Sequence, residues 1–225
     1  MEKLPKINII YEDNHIIVVE KKPNILVQKD NTNDICLIDV IKEYLKIKYN
    51  KPGNVYLGLV HRLDRPVGGL MVFAKTSKAA NRLSKTIQDK QMTKIYYAVV
   101  EGHTNKKDKY TDYLIKDNKT NTSYITTKDK GKEAILEYET ISYHKDLSLV
   151  KINLITGRSH QIRVQFSHHS HPLIGDQRYN KKAMPNINIA LFAKIIEFPH
   201  PTTKEILHFE IDLPNVYPFN LFQNI

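Results

Sequence analysis

Between Leu59 and Thr76 the chain reads LVHRLDRPVGGLMVFAKT, which sets one carboxylate, Asp64, between Arg62 and Arg65 and directly ahead of an apolar run. Two chemistries fit it. As a turn residue, Asp64 would cap the chain before Pro66 while the arginines form exposed ion pairs worth about 0–1 kcal/mol each. As a reactive group, it would sit on a backbone that Val67-Gly68-Gly69 allows to turn sharply, anchored by the apolar strand that follows. A carboxylate fixed at the end of a buried strand meets the positional demand on a nucleophile or general base, because misplacement by about 1 Å costs catalysis heavily.

A second cluster, LITGRSHQIRVQFSHHSHPLIGDQRY, places Gly157 at a turn and then Arg158, His160, Gln161, Ile162 and Arg163. A helix starting at Ser159 would put Arg158, Gln161 and Ile162 on one side. The planar, permanently charged fork of arginine suits carboxylate and phosphate alike. If Arg163 reached Asp64, it would keep that acid ionised in an apolar pocket. His168, His169 and His171 of SHHSH, with His160, His200 and His208, raise a rival chemistry, that of a metal-dependent hydrolase or nuclease. No HExxH pair or carboxylate-histidine spacing accompanies them, so no metal site is expected. His171 is read as part of the HPLIGD turn, and Asp176 as a structural acid that orders the chain there.

The elements that must position these groups are legible as alternating strand and helix signals. INIIYEDNHIIVVEKK is two β-rich runs broken by the turn pair Asp13-Asn14, a hairpin. From Asp34 to Tyr49, Leu37, Val40, Ile41, Tyr44 and Leu45 recur at helical spacing, with Asn33 or Asp34 as the cap. GGLMVFAKT follows as a buried strand, and Thr76 or Ser77 caps a second helix in which Ala80, Leu83, Ser84 and Ile87 share a face. KIYYAVVEG returns to strand. The second half, EAILEYETISYH, SLVKINLITGR, NIALFAKIIEFPHP and EILHFEIDLP, is mostly β with one amphipathic segment at SHQIRVQFSHH. Strands without regular crossover helices predict an α+β fold, with a mixed, largely antiparallel central sheet flanked by helices and loops. HTNKKDKYTD and KDNKTNTSYITTKDKGKE are polar and rich in lysine, which predicts exposed loops or a mobile hairpin, either simply solvated or an arm that clasps nucleic acid.

A length of 225 residues with 41% hydrophobic content suits one large domain or two closely joined subdomains. The formal charge of +10 gives a positive field that attracts phosphate backbones or anionic lipid, and excludes neither. No apolar run approaches the roughly 18–20 residues that span a bilayer, and MEKLPKINIIYEDNH lacks the order of a signal peptide, so a soluble, cytoplasmic protein is expected. Cys36 is the single cysteine, which rules out an intrachain disulfide or a thiolate zinc site within one chain. Packing on an apolar helix face is its expected place.

HRLDRPVGGLMVFAKT, KIYYAVVEG, LITGRSHQIRVQF and HPLIGDQRY, in that order and at compatible spacings, resemble the catalytic domain of the RluA-type RNA pseudouridine synthases, over a match from about Ile9 to Pro214. The resemblance implies a single catalytic domain over 1–225, with two subdomains flanking a central cleft. It also implies isomerisation of uridine to pseudouridine within an RNA chain, with no cofactor and no metal. Structured rRNA or tRNA is the expected partner, with no membrane and no obligatory protein partner, and a monomer is expected. On the family's pattern Asp64 is the catalytic carboxylate, acting as nucleophile or as base on the ribose. Tyr96 matches the tyrosine that packs on the target base, Arg163 the arginine paired with the aspartate, and Ile162 a residue of the pocket. Arg62 and Arg158 are expected to bind substrate, Arg62 by contacting RNA or filling the space of the displaced nucleotide. Val67-Gly68-Gly69 stands where the pattern has Thr-Ser-Gly, and EKKPNIL where it has N-K-P-x-G, with an extra lysine and no glycine. The stretch before the match is too short for the small RNA-binding domain that many relatives carry, so affinity is expected to come from the catalytic domain and its basic loops. The alternative is a noncatalytic basic RNA-binding protein on the same fold.

Overall fold

Alternating burial along paired strands dominates the described chain, residues 6–30, 32 and 34–222 of a computed structural model. In order, the elements are β1 (Asn8–Glu12), β2 (Ile16–Lys21), α1 (Leu37–Lys48), β3 (Gly58–Leu59), β4 (Gly68–Ala74), α2 (Ser77–Gln88), β5 (Thr93–Glu101) and β6 (Lys107–Asp117). They continue with β7 (Thr122–Thr126), β8 (Lys132–His144), β9 (Leu147–Leu154), α3 (Gln161–His168), β10 (Leu191–Pro199), β11 (Ile206–Glu210) and a 3-10 turn at Phe219–Phe222. Two compact units result, residues 1–92 with 195–211 and residues 93–194 with 212–225. The fold is α+β, and the pairs β1–β2, β2–β4, β3–β4, β10–β11, β5–β9, β6–β7, β6–β8 and β8–β9 run antiparallel.

In the first unit the β1–β2 hairpin turns where the sequence predicts, because Asp13 Oδ1 accepts the backbone N–H groups of His15 (2.7 Å) and Ile16 (2.8 Å). β2 pairs with β4 from Ile16↔Ala74 to Lys21↔Gly69, and all seven residues of β4 are buried. Burial on both faces explains why that stretch reads as a continuous apolar run rather than an alternating one. Ile16, Val18, Leu70 and Val72 meet Ala79 and Leu83 of α2 and Ile196 and Phe198 of β10 in one core.

Thr76 caps α2, its hydroxyl accepting from Ala79 N–H at 3.1 Å. The buried stripe of α2 is Ala79, Leu83 and Thr86, rotated slightly from the expected face, with Ala80, Ser84 and Ile87 half-buried at its edge. The cap of α1 differs from expectation. Cys36, in extended conformation, precedes the helix and makes no side-chain cap, Asp34 is drawn instead into an ion pair with Arg65 at 2.8 Å, and Asn33 lies outside the described residues. The physical reason is that the first orphan N–H groups, of Leu37 and Ile38, donate to the carbonyls of Leu26 (2.7 Å) and Val27 (3.1 Å), so no capping side chain is needed. Cys36 is buried, but just ahead of the helix rather than on its face.

In the second unit β5, β9, β8, β6 and β7 lie side by side in that order. Of the lysine-rich segments expected as loops or a mobile hairpin, the greater part forms the antiparallel hairpin of β6 and β7, with turns at 118–121 and 127–131. β6 pairs with β8 from Lys107↔Glu139 to Leu114↔Lys132 and with β7 from Tyr113↔Thr126 to Asp117↔Thr122. Polar composition hid this, since β6 buries only Tyr110 and Leu114 while its lysines face glutamates across the ladder, Lys107–Glu139 at 3.2 Å and Lys109–Glu137 at 3.5 Å. Arg178 Nη1 fastens the β6–β7 turn, donating to the Thr120 carbonyl (2.8 Å) and the Thr122 hydroxyl (2.6 Å).

α3 starts at Gln161 rather than Ser159, because His160 adopts a left-handed conformation (φ 54°) and breaks the helical path. Arg158 therefore does not share a helix face with Gln161 and Ile162; it is exposed in the preceding loop. Gln161 folds back instead, its Oε1 accepting from Arg158 N–H (3.0 Å) and the Thr156 hydroxyl (2.8 Å). Among the described residues no helix is long and apolar enough to cross a membrane.

Candidate active site

Asp64 lies, half-buried, in the loop between β3 and β4, where Val67 N–H donates to the Asp64 carbonyl at 3.0 Å and closes a turn. The loop is held from beneath by Lys21, the last residue of β2, which is fully buried. Lys21 Nζ donates to the carbonyls of Val67 (2.7 Å), Arg65 (2.9 Å) and Lys22 (3.2 Å). Burial pushes the Lys21 ammonium down to about 7; the negative charge of Asp64 opposes that shift and Arg65 adds to it. Asp64 and Lys21 are therefore close enough to sense each other's charge. Asn24 N–H also donates to the Arg65 carbonyl (2.8 Å), and Val72 N–H to His61 Nε2 (3.1 Å), so both flanks of the loop are tied.

The departure from Thr-Ser-Gly has a structural basis. A Cβ on Gly68 would lie 3.1 Å from Pro23 Cδ and 3.3 Å from the Lys21 carbonyl, tighter than ordinary packing, so glycine lets the two segments close up. Gly69 has φ 122°, outside the range of ordinary side chains, and it is the glycine the pattern retains. Arg65 is exposed and pairs with Asp34, and Arg62 is exposed.

Tyr96, Ile162, Arg163 and Arg158 belong to the second unit, Asp64 and Arg62 to the first. Tyr96 is buried on β5 opposite Ile152, and Ile162 is buried on α3. Arg163, one residue on, is buried with Asp176 as a two-point partner: Nε to Oδ2 at 2.8 Å and Nη2 to Oδ1 at 2.7 Å. Asp176 also accepts the N–H groups of Arg178 (3.0 Å) and Tyr179 (3.3 Å), the ordering role its sequence setting predicts. The guanidinium of Arg163 lies over the Tyr179 ring, 5.1 Å from its centroid, and Tyr179 O–H meets His160 Nδ1 at 2.7 Å. Removing one partner of such a buried pair costs about 3–5 kcal/mol, because the other charge is left uncompensated. Arg158 Nε donates to the Glu133 carbonyl at 2.8 Å.

Sequence reasoning missed Lys21 and Tyr179. Lys21 was signalled only as an extra lysine in EKKP; its place at the end of IIVVEK, in inward register, marks it as buried. Tyr179 ends the HPLIGDQRY motif, but nothing in the spacing shows that its ring supports Arg163.

The fold is that of pseudouridylate synthase domains. It superposes on the human RNA Pseudouridylate Synthase Domain Containing 4 with a TM-score of 0.78 at 21% identity, covering 92% of this chain and 88% of that one. For the human Domain Containing 1 protein the TM-score is 0.77 at 20% identity, with 96% and 87% covered. In sequence, residues 15–168 match the model of the RNA pseudouridylate synthase family. An uncharacterized RNA pseudouridine synthase of Aquifex aeolicus is 34% identical, over 96% of this chain and 72% of its own length. The ribosomal large subunit pseudouridine synthase D of Haemophilus influenzae is 32% identical, over 95% and 69%. The chain belongs to the RNA pseudouridine synthases of the RluA type, enzymes that isomerise uridine within RNA.

Proposed function

We propose that Asp64 is the catalytic carboxylate of this isomerisation and that the substrate is uridine in ribosomal RNA, modified by a cytoplasmic monomer. In the reaction the N1–C1′ bond of the target uridine breaks, the uracil turns, and a C5–C1′ bond forms. The C5 proton is lost and N1 gains one, so atoms balance within the nucleotide. Asp64 serves either by attacking C1′ or by taking a proton from the ribose, and both roles require the ionised acid in a fixed place. The observation that carries the assignment is the Lys21 clamp: the buried Lys21 amine holds the carbonyls of Arg65 and Val67, so the loop that bears Asp64 cannot drift.

Tyr96 and Ile162 are assigned to the uracil, as aromatic and apolar surface for a base taken out of its stack at a cost of a few kcal/mol. Arg163, held rigid by Asp176, positions the substrate, while the exposed Arg158 and Arg62 contact its phosphates. Support for a ribosomal substrate comes from the Haemophilus influenzae relative, whose name assigns it to the large ribosomal subunit.

Pseudouridine mapping after incubation with unmodified ribosomal and transfer RNA tests both statements. Wild-type protein should produce pseudouridine in large-subunit RNA, and Asp64→Asn should bind that RNA as before while product falls below detection. A near-normal rate for Asp64→Asn removes the aspartate from the chemistry; product confined to transfer RNA overturns the substrate.

A further inference from the structure

Outside the groups assigned above, the second unit brings Asp112, on β6, together with His168 and His169 at the end of α3. We propose that these three residues form a binding site for one divalent transition-metal ion of the zinc class.

The ligand atoms all lie within 4.8 Å of one another. A tetrahedral ion with bonds of about 2.0–2.2 Å needs its ligands about 3.4 Å apart. His169 Nε2 and Asp112 Oδ2 are already 3.2 Å apart, so the site is half assembled and closes by rotation of the exposed His168 ring.

Two of the three ligands are held in place by neighbours. The His169 ring stacks face to face on Tyr110, with centroids 3.8 Å apart and planes at 9°. The Asp112 carboxylate accepts from Gln165 Nε2 at 2.7 Å, and the same nitrogen donates to the Ala134 carbonyl at 3.1 Å. Gln165 is fully buried, and its Oε1 is the one buried side-chain acceptor without a hydrogen-bond partner among the described residues. The amide thus gives both hydrogens to fixing the carboxylate and its neighbouring strand while its own oxygen goes unmet, an uncommon expense for a buried group. Such outer partners are what orient ligands in metal sites.

Access and selectivity follow from the same atoms. The Asp112 side chain is 11% exposed and that of His169 34%, so an ion can enter from solvent and retain water in a remaining position. Two imidazole nitrogens and one carboxylate oxygen suit zinc, cobalt or nickel; magnesium and calcium prefer all-oxygen shells. The bound ion would join the end of α3, the helix that carries Ile162 and Arg163, to β6. The sequence concealed the site because adjacent histidines and an aspartate on a distant strand form no ligand-spacing motif.

Calorimetric titration of tag-free protein with zinc chloride tests it, with folding of each variant checked by circular dichroism. One ion per chain is expected, unaffected by millimolar magnesium chloride. Asp112→Asn should weaken binding about tenfold or more. The double variant His168→Ala/His169→Ala should abolish it, and His208→Ala, at the separate contact with Glu197, should leave it intact. Absence of saturable binding to the folded wild type, or its persistence in the double variant, overturns the site.

Discussion

A lysine ammonium taken wholly out of water is costly, and Lys21 persists because backbone carbonyls of Lys22, Arg65 and Val67 accept its protons. Its pKa falls from 10.5 to about 7, chiefly through burial, so between those values the unfolded chain binds the proton that the folded chain has released. Stability from this residue therefore rises as pH climbs from about 7 toward 10.5, and below 7 the full cost of the buried charge applies. Urea unfolding of wild type and Lys21→Met across that range should show wild type gaining on the variant by an amount on the order of a few kcal/mol. A flat difference would mean that Lys21 keeps its proton throughout. The variant also leaves carbonyls of the Asp64 loop unmet, so turnover should drop more than RNA affinity does. The ordering role of Asp176 was readable from its setting in the HPLIGDQRY turn. Lys21 was not, because its weight lies in backbone groups from a segment over forty positions away, a separation of 44 to Arg65 and 46 to Val67.

Elements of the first unit meet at Glu12, the last residue of β1. Its Oε2 accepts from Tyr44 (3.0 Å) and Lys48 (2.8 Å) of α1, and its Oε1 from Tyr49 (2.7 Å) and from Lys75, just past β4 (2.6 Å). Burial alone would raise the Glu12 pKa, but hydrogen bonds from Lys48, Lys75, Tyr49 and Tyr44 outweigh it and lower the value from 4.5 to about 2. The carboxylate then contributes stability that is present above pH 4.5 and lost as pH falls toward 2. Glu12→Gln should cost about 1–3 kcal/mol at neutral pH and flatten acid unfolding over that interval, as followed by circular dichroism. An unchanged acid limb would refute this role. Periodicity alone predicted α1 and its stripe, and the apolar run predicted β4. The cap of α1 and the strand β6 escaped prediction for a common reason: their hydrogen bonds are satisfied by distant backbone, through Leu26 and Val27 in one case and β8 in the other, and local composition carries no trace of that.

The whole molecule carries a charge of +10, and the expected partner is a polyanion. RNA affinity should fall linearly with salt on logarithmic axes, with a slope of about 0.7–0.9 per phosphate neutralised, and Asp64→Asn should share the wild-type slope. A salt-independent affinity measured by filter binding would assign recognition to uncharged contacts. At this scale the α+β class was legible, since long strands outnumber helices. The division at residues 92 and 195 was not, because no linker composition marks it. That division bears on biogenesis. The hydrophobic core around Ile16, Val18, Leu70 and Val72 is completed only by Ile196 and Phe198. His200 then meets Asp13 at 2.9 Å, and Arg82 meets the Pro201 carbonyl at 2.9 Å. At about 5–20 residues per second, a ribosome needs several seconds beyond Met92 to deliver those partners. The segment up to Met92 must wait, with its apolar strands unfinished, for one made long after it.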